Sequence, residues 1–349
     1  MRLARNIPAL DPKQMPLLRS NTELSGRYCA ALRESGISSV WVYDELSEGI
    51  EPIDLVPEDV RREAARSVAV VQRDAASALR RGEPLSPEAL TGLREVVDQI
   101  HASVAEHPGA EAGLNDIAAA DAYTHQHSID VCALGLLLGR AVLSHGYKDS
   151  RGHRRFDDID RRMRLLGVGL LLHDIGKLAV PREILLKPAR LTEEETAIMR
   201  THPDEGAQLL SGDRYSPLIR AVVRQHHERW NGSGYPRGTM GATIPELARI
   251  AAVADVYDAV TSERPYKPAM APHVGARIIA KGAGAAFDPE VVDVFRRVVP
   301  RFPIGSELCL PDGSVGVVAR HDPEHPDCPW VRFPSGERPV DVDDELVAG

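Results

Sequence analysis

The chain has 349 residues, 43% hydrophobic and 27% charged, which suffices for one large globular domain with one or two small ones and a real buried core. Its net charge of -9 argues against a general nucleic-acid binder, whose affinity comes from clustered Lys and Arg, so a small anionic ligand would need positive charge supplied locally. The cysteines Cys29, Cys132, Cys309 and Cys328 lack CxxC spacing, against a zinc ribbon or disulfide framework. No uninterrupted apolar run approaches the roughly 18 residues of a membrane span, and the start MRLARNIPALDPKQ lacks a secretory apolar stretch, so a cytoplasmic protein without a span is expected.

Residues 22–43 predict a helix through Tyr28, Leu32 and Arg33, closed by Gly36, then a strand from Ile37 to Tyr43. The expectation for 1–56 is a small α/β input module. Pro57 suits a first helical position, and Val60, Ala64, Val68, Val71, Ala75 and Leu79 recur at steps of three and four until Gly82. A second amphipathic helix starts at Ser86-Pro87, repeats Leu90, Leu93, Val97, Ile100 and Val104, and stops near Pro108-Gly109. Residues 57–110 therefore read as an αα-hairpin linker. From 111 to 298 the pattern is helical, with Ala/Leu/Val-rich stretches from Asp130 to Leu143 and from Arg164 to Leu172. Within it, Ser144 to Arg162 reads as a long solvated loop. After Pro303 come short β-prone pieces, with Val315, Val317 and Val318, then Trp330, Val331 and Phe333, divided by the turn pairs Asp312-Gly313 and Ser335-Gly336. Residues 299–349 are expected to form a small β extension, and the fold class as a whole is mainly α.

Eleven of thirteen histidines fall between His101 and His273, nine of them inside the helical segment 111–298, and their placement matters more than their number. His173-Asp174 ends the run LLGVGLLL, so the pair would emerge where a buried helix reaches the edge of the core. Asp174, with two oxygens, can bridge two cations, and mixed N/O donors suit iron, manganese or zinc better than magnesium alone. His127 in THQHS, His202 in MRTHPDEG, His226-His227 in RQHHERW and Asp255 in AAVADVYDAV fit the same site. A lone histidine is more often a surface or satisfied core residue, but the joint recurrence at apolar helices weakens that reading. His125, two residues from His127, points to nearly the opposite side of a helix, so only one of the two can face the site.

The segments HDIGK (173–177), HHERWNGSGYP (226–236) and DVYDAVTSERPYK (255–267) resemble the HD-GYP family of the HD superfamily, a likeness that extends over about 115–298. It implies an HD-type helical bundle that hydrolyses cyclic di-GMP to linear pGpG, GMP or both. It also implies that His127, His173, Asp174, His202, His226, His227 and Asp255 hold two divalent transition-metal ions, iron or manganese above others. A hydroxide held between two cations can attack phosphorus in line without a protein nucleophile. Lys177 would contact a non-bridging phosphate oxygen beside Asp174, and Arg264 and Lys267 resemble family residues that hold phosphate. In GSGYP, Gly232 and Gly234 permit unusual dihedrals and Pro236 fixes the exit, so Gly234, Tyr235 and Pro236 are expected to shape the substrate site.

Three rivals follow from the same residues: hydrolysis of another cyclic dinucleotide such as cyclic GMP-AMP, other HD nucleotide hydrolases, which usually lack the HHExxxGxGYP element, and a sensor or scaffold without turnover, which typically loses ligands. A regulatory protein partner through the GYP loop or the N-terminal module, and a homodimer through the hairpin, fit the same resemblance. Some HD-GYP proteins carry a glutamate four residues before the first ligand histidine that helps hold a third cation. Here that position is Tyr123, and a neutral phenol is a poor ligand, so two metals are expected, without help from Asp121, Glu111 or Asp116.

Overall fold

A computed structural model describes residues 1–4, 7, 17–34, 40, 42–51, 53–106, 112–113, 123–148, 153–156, 158–262, 269–322, 325–342 and 347–348. The helices are α1 (Gly26–Glu34), α2 (Glu58–Arg81), α3 (Thr91–Glu106), α4 (Tyr123–Ser144), α5 (Ile159–Leu171), α6 (Arg182–Leu185) and α7 (Glu193–Met199). They continue as α8 (His202–Leu209), α9 (Pro217–Gln225), α10 (Glu246–Thr261), α11 (Pro272–Lys281) and α12 (Pro289–Val298), with a 3-10 turn, Ile175–Ala179, after α5. The mainly helical expectation holds, and the local signals act as anticipated: α2 follows Pro57 and stops at Gly82 in the left-handed region (φ 67°), where its N–H caps the last turn.

One continuous hydrophobic core runs from Leu55 to Val299. The apolar stripe of α2 and α3, with Val68, Val71, Leu93, Val97 and Ile100, is buried in it together with Leu134, Leu138, Leu166 and Leu170 of α4 and α5. The hairpin is knitted to the later helices by polar contacts too. Leu85 N–H donates to Leu209 O at 2.8 Å, and His125, turned away from the site as its spacing predicts, meets the Gln72 amide at 2.9 Å. Residues 125–144 are long and apolar enough to cross a membrane by composition, but 78% of that stretch is buried among the other helices.

Short strand pairs flank the helices: β1 (Arg2–Leu3) with β2 (Val42–Tyr43), β3 (Ile53–Asp54) with β4 (Ala112–Gly113), and β5 (Tyr147–Lys148) with β6 (Arg154–Arg155). The last pair, and the start of α5 at Ile159, correct the reading of Ser144 to Arg162 as plain loop. Turn residues inside that polar stretch hid a hairpin whose strands are only two residues long. Of the helix predicted within 22–43, the part from Gly26 to Glu34 forms, and Val42–Tyr43 is the described part of the strand that follows. The C-terminal strands β7 (Glu307–Cys309), β8 (Val315–Asp322), β9 (His325–Phe333), β10 (Gly336–Pro339) and β11 (Val347–Ala348) form one antiparallel sheet in the order β10-β9-β8-β7-β11. Its core is its own, with Phe302, Leu308, Val318, Val331 and Phe333. Ile50 packs against Ile304 and Val317, and Arg332 donates to Glu48 O at 2.6 Å, so the N-terminal segment rests on the C-terminal sheet.

Candidate metal centre

Three helix ends deliver the central histidines. The last carbonyls of an α-helix have no partner within it, so a donor placed just beyond the end is captured there. His173, two residues past α5, donates its Nδ1–H to Leu170 O at 2.7 Å; His202, three residues past Met199, donates to Met199 O at 2.8 Å. His226, which caps α9, donates to Val223 O at 2.9 Å. Carbonyls only accept, so each Nδ1 carries the proton and each Nε2 is left with a lone pair. All three rings are buried.

These lone pairs converge. His202 Nε2 and His226 Nε2 face each other at 3.4 Å with no proton to share, and among the described residues neither His173 Nε2 nor the buried Asp174 Oδ1 has a hydrogen-bond partner. Asp174 Oδ1 lies 3.3 Å from His202 Nε2 and 3.9 Å from His226 Nε2, while its Oδ2 lies 3.4 Å from His173 Nε2 and 3.9 Å from His127 Nε2. Asp255 Oδ1 is 3.3 Å from His127 Nε2, and its Oδ2 is 3.8 Å from His227 Nδ1. Two donor sets result, Asp174 with His202, His226 and His227, and Asp174 with His127 and His173, the donor atoms of each lying within 4.8 Å of one another. Buried lone pairs aimed at one another are costly unless a cation lies among them, so the residues fit divalent metal.

Protonation agrees with that fit. Burial pushes His226 far down, His227 down to about 4, and His202 down, which keeps them as neutral imidazoles. Burial opposes ionisation of Asp174 and Asp255, but Lys177 and His173 outweigh it at Asp174, as His127 and His227 do at Asp255, and both carboxyls sit well below their ordinary value. His127 goes the other way: burial disfavours its charge, yet its bonds to Asp255 and Asp258 lift it to about 10.

The loop after α9 is built around Glu228, a residue of HHERWNGSGYP for which the sequence alone suggests no role. This buried carboxylate accepts from Arg237 N–H at 2.9 Å and Thr239 N–H at 3.0 Å, closing the segment on itself. Gly232 has the expected unusual dihedral (φ 81°), but Gly234 does not; what it needs is room, since a Cβ would lie 2.3 Å from Arg229 N and 2.5 Å from His227 O. Tyr235 then stacks on His227, ring centroids 4.7 Å apart, with Pro236 following, and the Arg200 guanidinium sits 5.2 Å above the tyrosine. Arg200 is a cation at the mouth that no motif marked. Lys177 Nζ donates to Asp174 Oδ2 at 2.5 Å. Gly176 of HDIGK is likewise a packing requirement: a Cβ there would stand 2.0 Å from His202 O and 2.5 Å from Gly206 N. Arg264, Lys267, Asp121, Glu111, Asp116 and the Tyr123 side chain lie outside the described residues.

Residues 157–291 match the family model of the HD domain. The match runs from the start of α5 into α12, fewer than half of the residues. Beyond it, the chain is 41% identical over 225 residues to cyclic di-GMP phosphodiesterase PA4108 of Pseudomonas aeruginosa, covering 64% of this chain and 51% of that protein. It is 44% identical over 140 residues to the cyclic di-GMP phosphodiesterase response regulator RpfG of Xanthomonas campestris, covering 40% and 37%. Over 144 residues it is 38% identical to 3'3'-cGAMP-specific phosphodiesterase 2 of Vibrio cholerae, covering 40% and 27%. The chain thus spans about half the length of the first relative and less of the others. The resemblance read from HDIGK, HHERWNGSGYP and DVYDAV is borne out, and His127 lies upstream of the HD match, reached through α4.

Proposed function

We propose that this chain is a metal-dependent phosphodiesterase that opens cyclic di-GMP to linear pGpG, GMP or both. The observation that carries the reading is Asp174, which turns one oxygen to each of two buried imidazole clusters whose lone pairs face inward. His127, His173, Asp174 and Asp255 would hold one ion, and Asp174, His202, His226 and His227 the other, with Asp255 reaching towards His227. Nitrogen and carboxylate donors in these proportions suit iron or manganese. Bound there, two cations would supply Lewis acidity at the phosphoryl oxygens and lower the pKa of water.

The chain's own groups do the rest. Lys177, a third exposed at the edge of the centre, is placed to hold a non-bridging phosphate oxygen. Arg264 and Lys267 are proposed for the second phosphate, and Arg200, with no carboxylate partner among the described residues, adds positive charge at the mouth of an otherwise acidic protein. Tyr235 and Gly234 shape the wall beside His227, and the stack keeps that ring from rotating. A second reading, hydrolysis of 3'3'-cGAMP, is supported by the similarity to a phosphodiesterase named for that substrate.

Metal analysis of the purified protein, followed by chromatography of cyclic di-GMP and 3'3'-cGAMP incubated with manganese-loaded and iron-loaded samples, tests the proposal. Conversion of cyclic di-GMP to pGpG is expected. Protein that takes up metal and leaves both dinucleotides intact would overturn the enzymatic reading, and faster loss of 3'3'-cGAMP would replace the substrate.

A further inference from the structure

His127 cannot be held in the way the other inward-facing histidines are. His173, His202 and His226 each follow a helix end and use a carbonyl there, whereas His127 lies near the start of α4, where the carbonyls are engaged in the helix and only N–H groups lack partners. Its ring needs an acceptor from elsewhere, and α10 supplies it. His127 Nδ1 donates to Asp258 Oδ2, while its Nε2 lies 3.3 Å from Asp255 Oδ1. Three residues apart on α10, the two carboxylates lie on one helix face and grip opposite edges of the same imidazole. Asp258 is buried, and its other oxygen accepts from Ser262 Oγ at 3.0 Å, one turn further on.

We infer that Asp258 is the positioning residue of His127, with Ser262 as its brace. Asp258 keeps a proton on Nδ1 and sets the ring rotation, so that Nε2 is the edge turned to Asp174 and Asp255, where a cation would lie; without it, Asp255 Oδ1, 3.3 Å from Nε2, would draw the proton to that edge. Outer carboxylates of this kind orient metal-bound imidazoles and raise their basicity. Asp258 itself does not reach the centre, since its described partners are His127 and Ser262. The inference rests on the metal-centre reading above.

Manganese titration of the full-length protein, with stoichiometry by elemental analysis, separates the two ideas. Wild type is expected to bind two ions. Asp258→Leu should weaken the His127–His173 ion by about 10–100-fold while leaving the His202–His226–His227 ion in place, with Asp258→Asn and Ser262→Ala intermediate. Should Asp258→Leu fail to fold, the two milder variants carry the test. Nitrogen-15 imidazole spectra of the zinc-loaded wild type should show His127 protonated at Nδ1 and not at Nε2, a signature that a merely structural role for Asp258 does not require. Unchanged affinity for both ions in all three variants, or an Nε2-protonated His127, would overturn the positioning role and leave the centre standing. A wild type that binds no manganese would overturn both.

Discussion

At Asp174 a single carboxylate serves two clusters, so its replacement cannot be local. Asp174→Ala removes the carboxylate whose two oxygens lie 3.4 Å from His173 Nε2 and 3.3 Å from His202 Nε2. Turnover of cyclic di-GMP should fall by at least about 100-fold, the upper end of what losing an outer partner alone produces, and manganese stoichiometry should drop below two. Wild-type turnover in metal-replete Asp174→Ala protein would sink the bridging role. Gly176→Ala is a sharper test of packing. Its Cβ would meet the backbone at His202 and Gly206, which no side-chain rotation relieves, so the turn carrying Asp174 and the start of α8 must part. We expect a loss of about 1–3 kcal/mol in urea unfolding together with weakened manganese binding. A variant with wild-type stability and affinity would show that α8 shifts freely. Both motif residues stand out in the sequence, but only the neighbours of Gly176 explain why a glycine is there.

Among the elements, the junction of α2 and α4 holds a buried ion pair. Arg61 of α2 donates to Asp130 of α4 at 2.6 Å and to Asp54 at 3.2 Å, and both Arg61 and Asp130 are buried. Burial pushes Asp130 up, which Arg61 opposes, so removing the arginine leaves a buried acid without its cation. Arg61→Met should cost about 3–5 kcal/mol in denaturant unfolding, and adding Asp130→Leu should restore most of it, because a buried pair is worth little more than apolar groups of similar size. If the double variant is no more stable than the single one, the pair does not account for the loss. Periodicity revealed α2 and α3 because burial repeats at 3.6 residues. It could not reveal that Asp130, one turn past His127, is tied to a helix about seventy residues upstream.

Across the whole molecule, the apolar faces of α2 and α3 close the same core that underlies the metal centre. A fragment beginning at residue 111 would expose Leu93's and Val97's partners on α4 and α5, an area too large to leave in water. Such a fragment is expected to aggregate or to lose its cooperative unfolding transition, measured by circular dichroism during thermal denaturation. A soluble fragment that unfolds cooperatively would show that the hairpin is dispensable. The contact of Arg332 with Glu48 likewise joins the two ends of the chain, which composition alone had presented as separate appendages.

Local sequence established the helical character, the adjacency of His173 with Asp174 and of His226 with His227, and that only one of His125 and His127 can face the site. These depend on neighbours a few residues away: apolar spacing, helix ends that capture a histidine, and the opposite directions of side chains two apart on a helix. Only the tertiary structure decided that Asp174 divides its oxygens between two clusters, that Glu228 closes the GYP loop, that Arg200 lies over Tyr235, and that Asp258 takes the far edge of His127. Each of these joins residues from different elements, at distances fixed by how α4, α5, α8, α9 and α10 pack, and no local spacing encodes that.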